Sequence, residues 1–204
     1  ADMIELDKED GLWTVTINRP DKANSLTAAM LEELCEISEA AQEARVLILT
    51  GRGKVFSAGA DLEAARAGLA TSPLWERLSS AIAALPGLSI AALNGTLAGG
   101  SMGMALACDI RIAVPEAKFF YPVMKLGFLP QPSDPGRMVA LMGPARTKLM
   151  LMGGQKITAD EALSFGLIDR IVEDVALIEV ARALAADTLA AKGDFVGTMK
   201  AMCR

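Results

Sequence analysis

Two stretches of small residues, each closing a short apolar run and opening toward a helix, carry the clearest chemical signal in this chain. They are Phe56-Ser57-Ala58-Gly59-Ala60-Asp61-Leu62 and, further on, Asn94-Gly95-Thr96-Leu97-Ala98-Gly99-Gly100. The first N–H groups of a helix have no acceptor within it. Two helix entries placed side by side can therefore aim backbone N–H groups at one external oxygen, which is the making of an oxyanion hole. Asp61 is of the type that caps a helix or supplies a first-turn acid. The chain contains no histidine, which removes Ser-His-Asp and Cys-His catalysis and the commonest zinc ligand together. Any catalysis must come from carboxylates, amides, hydroxyls, water or the main chain.

These segments need a frame of strands and helices. The runs 3–6 and 12–17 flank a polar turn at 7–11 and predict a hairpin. Leu26, Met30, Leu34, Ile37 and Ala41 recur at helical spacing, with Ser25 or Asn24 as the cap. Residues 45–50 and 89–93 read as buried strands, 61–68 and 73–85 as helices, and 99–107 as a small-residue helix leading into a strand at 110–114. From Pro135 the pattern is mainly helical, with Thr158 and Ser164 at helix boundaries and a short strand at Ile171-Val172. Strands thus return at intervals, each followed by a turn and a helix.

The 204 residues suffice for one substantial core, and 52% hydrophobic content suits an ordered α/β domain. A net charge of -5 without a basic cluster argues against nucleic acid as partner. No apolar run is long enough to span a membrane, and residues 1–5 lack the features of a secretory signal, so no membrane insertion and a cytoplasmic location are expected. Cys35, Cys108 and Cys203 are scattered and odd in number, giving neither a disulfide framework nor a metal site. The seven methionines between positions 102 and 152 (Met102, Met104, Met124, Met138, Met142, Met150 and Met152) suit an adaptable core or subunit interface more than an acyl pocket.

The two small-residue segments, together with Asn18-Arg19-Pro20, Ala107-Cys108-Asp109-Ile110 and Ala162-Leu163-Ser164-Phe165-Gly166-Leu167-Ile168-Asp169, resemble the enoyl-CoA hydratase/isomerase (crotonase) superfamily. The resemblance runs from about Ile4 to Ala191. It implies an α/β fold, a ββα spiral superhelix of stacked sheets, in a single domain over 1–204, with a spiral core to about 135 and a shortened, mainly helical part from about 136. It implies an acyl-CoA thioester as substrate, no further cofactor or metal, and a homo-oligomer of three or six chains. The oxyanion donors fall on Ala60 and Gly100, where a side chain at 100 would obstruct the oxygen. Lys22, Ala23, Ala58, Asp61 and Leu62 fall on the segments that contact coenzyme A. The end at Cys203-Arg204 implies that terminal helices usual in the family are partly missing.

The departures are informative. The two positions where hydratases carry glutamates read Gly103 and Val123, so a two-glutamate hydration mechanism is not expected. The position of the isomerase acid reads Gln131, which has no proton to exchange near neutral pH. Asp134 is the nearest carboxylate, read here as a helix cap or a general base, and Tyr121 as a buried hydroxyl or a pocket donor. The expectation is an isomerase-like, enolate-forming enzyme. The alternatives are decarboxylation of a malonyl-type thioester and a catalytically silent acyl-CoA-binding subunit.

Overall fold

The computed structural model describes residues 2–204. Strands β1 (Ile4–Glu9) and β2 (Leu12–Ile17) form the expected hairpin, but the strands run on through the polar residues. The turn shrinks to Asp10-Gly11, both at positive φ (48° and 87°), the geometry of a two-residue turn that matches strand twist. Helix α1 (Ala28–Ala40) is capped by Thr27, whose side chain accepts from the Met30 N–H. Neither Ser25 nor Asn24 caps it, because Asn24 is needed elsewhere. Its backbone is left-handed (φ 53°) and its side chain fully buried. The amide oxygen accepts from Arg19 N (2.7 Å), and the amide nitrogen donates to Arg52 O (3.0 Å) and Val55 O (2.7 Å).

Three strand-strand-helix turns follow. The first is β3 (Val46–Gly51), β4 (Val55–Ser57), then α2 (Leu62–Arg66) and α3 (Leu74–Ala83). The second is β5 (Leu88–Leu93), β6 (Thr96–Ala98) and α4 (Met102–Leu106), with a 3-10 turn at Gly99–Ser101 between strand and helix. The third is β7 (Ile110–Ala113), β8 (Lys118–Phe120) and α5 (Val123–Leu126). Each turn gives its first strand to one sheet and its second to another, so equivalent strands stack in parallel and the chain advances as a spiral. The rest is α6 (Asp134–Met142), α7 (Pro144–Leu151), β9 (Ile157–Thr158), α8 (Ala159–Phe165), β10 (Arg170–Ile171), α9 (Leu177–Ala190) and α10 (Phe195–Met202).

The larger sheet has the order β1-β2-β3-β5-β7-β10 and the smaller β4-β6-β8-β9. All pairings are parallel except β1 with β2 and β8 with β9. Strands buried on both faces need side chains that are apolar in succession rather than in alternation. Val46, Leu47, Ile48 and Leu49 of β3 and Ile90 to Leu93 of β5 meet that need, each 3% exposed or less. Thr158 caps α8 in a reciprocal capping box with Glu161, whereas Ser164 lies inside the last turn of that helix rather than at its boundary. Met102, Met104, Met138, Met142 and Met150 are core residues, and Met124 and Met152 are exposed.

Asn24→Ala should lower unfolding free energy by about 2–4 kcal/mol, since three hydrogen bonds are lost and alanine is strained at positive φ. Urea denaturation measures it. A loss below about 1 kcal/mol would mean that the segments at Arg19, Arg52 and Val55 hold without this amide.

Candidate functional site

The smaller sheet ends where its strands pass into helices, and there the two small-residue segments meet. The anchor of the first is a single parallel bridge between Leu26 and Ala60. Leu26 N donates to Gly59 O (2.8 Å) and Asp61 N to Leu26 O (2.9 Å). In such a bridge the partner strand bonds the residues flanking Ala60, so the N–H of Ala60 itself points away from it. Among the described residues that N–H has no acceptor. Gly59 sits at φ 94°, a conformation that glycine adopts freely. A Cβ on it would stand 3.0 Å from Ala98 O and 3.5 Å from the Gly100 N. The first segment therefore lies main chain against main chain on the second. Gly100 occupies the first turn of the 3-10 helix, where N–H groups lack helical acceptors.

Two hydroxyls lock this junction. Ser57 Oγ donates to Asn24 O and accepts from the Gly59 N–H, and Ser101 Oγ lies 3.1 Å from Ser57 O and 2.6 Å from Ala98 O. Asp61 caps α2 by accepting from the Ala64 N–H (3.2 Å) and pairs with Arg19 (3.0 Å). The Ala64 N–H first, and Arg19 second, hold its carboxyl below the usual range. The Asn18-Arg19-Pro20 segment thus steadies the helix that follows Ala60. With its carboxylate so engaged, Asp61 has little left with which to contact a ligand.

Packing inside the protein also requires a glycine at position 100. A Cβ there would meet the Trp75 indole at 3.1–3.2 Å, and the indole is itself fixed by donating to Leu69 O at 2.8 Å. A cavity of about 210 Å³ opens beside Trp75, lined by Ala60, Gly100, Tyr121, Val123 and Gln131 among others, with Leu62, Leu126, Phe128 and Leu129 toward the exposed side. Ala58 and Leu62 lie on its wall. Lys22 and Ala23 belong to the neighbouring 3-10 turn, Lys22 exposed and Ala23 left-handed at φ 52°. None of the methionines lines this cavity. A larger, open cavity of about 650 Å³ between Thr14, Thr50, Lys54 and α9 is lined by Asn94, the first residue of the second segment, but by none of the candidate catalytic or coenzyme A-contacting residues. Among the described residues no group of three or more Cys, Asp or Glu side chains could hold a metal ion.

Asp134 does not cap its helix. It occupies the first position of α6, and its fully buried side chain turns inward. Oδ2 accepts from the Tyr121 hydroxyl at 2.8 Å, and Oδ1 has no partner among the described residues. The carboxylate fills the space beside α4 where Gly103 has no side chain: a Cβ on Gly103 would lie 2.8 Å from Oδ1 and 3.1 Å from Oδ2. Burial pushes the Asp134 carboxyl up to about 6; the Tyr121 hydrogen bond opposes this, the Glu76 charge adds to it and Arg137 opposes it. Burial likewise raises the Tyr121 phenol well above its usual range. The Tyr121 hydroxyl also accepts from the Gln131 N–H (3.2 Å), and the Gln131 side chain donates to Ala70 O at 3.4 Å. Gln131 and Tyr121 reach the cavity, and Asp134 stands behind Tyr121.

Sequence reasoning missed Glu76 of α3. It accepts from the Ser133 N–H through Oε1 (2.8 Å), while its Oε2 is buried and unpartnered among the described residues. Its helical position beside Trp75 carried no motif, so only the fold reveals it.

The packing of Asp134 on Gly103 gives two expectations. Gly103→Ala should destabilise the protein by about 1–3 kcal/mol through overpacking, but cost little in an Asp134→Ala background, a coupling that urea titration of the four proteins would read. Second, the folded carboxyl binds its proton more tightly than the unfolded chain does. Its contribution is therefore favourable at low pH and lost as pH rises through about 6. Relative to Asp134→Asn, the wild type should lose up to about 3 kcal/mol between pH 4 and 7.5. A difference that does not change with pH would show a carboxyl that titrates normally.

Comparison with known proteins agrees with this architecture. The enoyl-CoA hydratase/isomerase family model matches residues 7–204. A probable enoyl-CoA hydratase, echA6, of Mycobacterium leprae (strain TN) is 34% identical over 175 residues, 83% of this chain and 71% of that protein. The 1,2-epoxyphenylacetyl-CoA isomerase of Escherichia coli (strain K12) is 33% identical over 189 residues, 87% of this chain and 72% of that one. Among solved structures, a putative enoyl-CoA hydratase/carnithine racemase from Magnetospirillum magneticum AMB-1 superposes with a TM-score of 0.91 at 31% identity, covering 100% of this chain and 82% of the other. With the stacked ββα turns already described, these matches establish that the chain belongs to the enoyl-CoA hydratase/isomerase family.

Proposed function

We propose that this protein is an acyl-CoA enzyme that forms a thioester enolate and moves a proton between the α and γ carbons of the acyl group. The observation that carries the reading is the cavity in which the Ala60 and Gly100 segments, abutting main chain to main chain, face a tyrosine backed by a buried carboxylate. In this reading the thioester oxygen sits between the N–H groups of Ala60 and Gly100. The acyl end enters the cavity, whose about 210 Å³ is small for a complete ligand. The rest of the substrate lies over Ala58 and Leu62 toward Lys22 and Ala23.

The proton then leaves one carbon, and the C–H electron pair forms the enolate double bond as negative charge gathers on the oxygen between the two donors. Tyr121 takes that proton on its oxygen while its own proton passes to Asp134 Oδ2. The two transfers belong to one step because a free tyrosinate is unfavourable here. Return of a proton to the other carbon restores the carbonyl and shifts the double bond. A carboxyl titrating near 6 suits transfer in both directions near neutrality. Gly103 and Val123 supply no carboxylate, which favours isomerase-like over hydratase chemistry. The withdrawal of Asp134 behind Tyr121 favours one second reading, loss of CO₂ from a malonyl-type thioester, which needs the donor pair and little else.

Incubation with short, medium and aromatic acyl-CoAs in deuterated water, followed by mass spectrometry, tests the proposal. α-Deuteration and double-bond migration are expected. CO₂ release without exchange would support the second reading, and tight binding with neither would leave a silent acyl-CoA binder. Tyr121→Phe and Asp134→Asn should each slow exchange by roughly 10²–10⁴ with acyl-CoA affinity nearly unchanged. Ala60→Pro, which removes one donor without disturbing Trp75, should lower turnover by about 10²–10³. Full activity in a folded Ala60→Pro protein would overturn the donor-pair assignment.

A further inference from the structure

We propose that Glu76 is a positioning residue for the Tyr121–Asp134 pair, holding the turn from Gln131 to Asp134 through the Ser133 N–H and biasing, by its negative charge, the proton held on Asp134. The inference rests on the reading of Asp134 as the proton carrier. Its geometry is independent of any substrate. Glu76 stands on α3, one residue after Trp75, and its Oε1 accepts from Ser133 N at 2.8 Å. Within the turn so held, Asp134 N donates to Gln131 O (3.0 Å) and Gln131 N donates to the Tyr121 hydroxyl (3.2 Å). One glutamate oxygen thus anchors the segment that fixes both partners of Tyr121.

The second oxygen carries the electrostatic part. Oε2 of Glu76 and Oδ1 of Asp134 are both buried without a partner among the described residues, although an unpaired buried carboxylate oxygen costs free energy. Asp134 is fully buried, and after burial and the opposing Tyr121 hydrogen bond the Glu76 charge is the next cause acting on its carboxyl, in the raising direction. The groups that face it are Tyr121 from the end of β8, Glu76 from α3 and Arg137 from its own helix, while α4 presents the bare Gly103 backbone. Arg137 is directed in part to Ser79 Oγ at 3.0 Å, which leaves the Glu76 charge incompletely offset. A glutamate kept only to stop the helix or turn from fraying would need its hydrogen bond and not its charge.

Glu76→Gln separates the two roles, because glutamine still accepts from Ser133 N and carries no charge. With ¹³C-labelled aspartate, NMR titration of the whole protein reads the Asp134 midpoint directly, and Asp134→Asn identifies its signal. The midpoint should fall by at least about half a pH unit in Glu76→Gln. The acidic limb of the α-deuteration profile should move by the same amount, with KM for the acyl-CoA unchanged. Glu76→Ala should lower the midpoint similarly and also reduce kcat, since the turn loses its acceptor. An unmoved Asp134 midpoint in folded Glu76→Gln overturns the proposal whether or not the enzyme turns over. A moved midpoint in a protein without proton exchange would uphold Glu76 and dismiss the isomerase reading instead.

Discussion

The contact between Gly59 and Gly99–Gly100 is the constraint on which the site depends. Two segments that each end a strand of the smaller sheet can touch through their backbones only where side chains are absent, and the virtual Cβ of Gly59, 3.0 Å from Ala98 O, shows how little space remains. That closeness brings Ala60 and the first turn after Ala98 to the wall of one cavity. The remainder of the local structure maintains it. The Leu26–Ala60 bridge fixes the direction of the first segment, Asn24 ties that bridge to two loops, Ser101 links the segments and Trp75 closes the floor under Gly100.

A second constraint acts against stability. Asp134 lies in the first turn of α6, where the helix dipole favours a charged carboxylate by roughly 0.3–1 kcal/mol. Burial acts in the opposite direction and is the larger effect, so the carboxyl rises to about 6 despite the Tyr121 hydrogen bond. A residue retained only to start the helix would do better facing solvent, as Asp61 does when it caps α2 and pairs with Arg19. Inward orientation costs free energy and raises the pH at which the proton leaves to about 6, which supports the role we propose for this carboxyl.

How far the sequence spoke depended on the range of the interaction. Continuous apolar runs announced β3 and β5 because strands buried on both faces leave no polar choice. Thr158 announced its helix because the capping box is local, within three residues of Glu161. The start of α1 was misplaced by two or three residues because Asn24, a good cap in isolation, was recruited by Arg19, Arg52 and Val55, partners that no local pattern specifies. Asp134 followed by Pro135 looked like a helix start and is one, yet its side chain went to Tyr121 and the space at Gly103, both reached only through the tertiary fold. Gly100 reads from the sequence as a position that leaves room for a ligand oxygen, and the fold adds a neighbour that no local pattern specifies: a Cβ there would also meet Trp75. Glu76 was invisible for the same reason, its partner Ser133 being 57 residues away.

Gly103 and Asp134 are best understood as one feature. Read alone, Gly103 looks like the loss of a carboxylate from α4. In the folded chain, the space that glycine leaves is filled by a carboxylate arriving from α6, with its oxygens 2.8 and 3.1 Å from where a Cβ would be. A side chain at 103 crowds an aspartate at 134, so a change at one position alters the cost of a change at the other. The carboxylate from α6 is shorter, approaches from behind Tyr121 and reaches the cavity through a hydroxyl rather than directly. An acid so placed lacks the open contact with a substrate carbon that activation of water requires, which is why the function we propose gives it a single proton exchanged through Tyr121. In that proposal, the helix that supplies the acid decides which chemistry the proposed donors Ala60 and Gly100 serve.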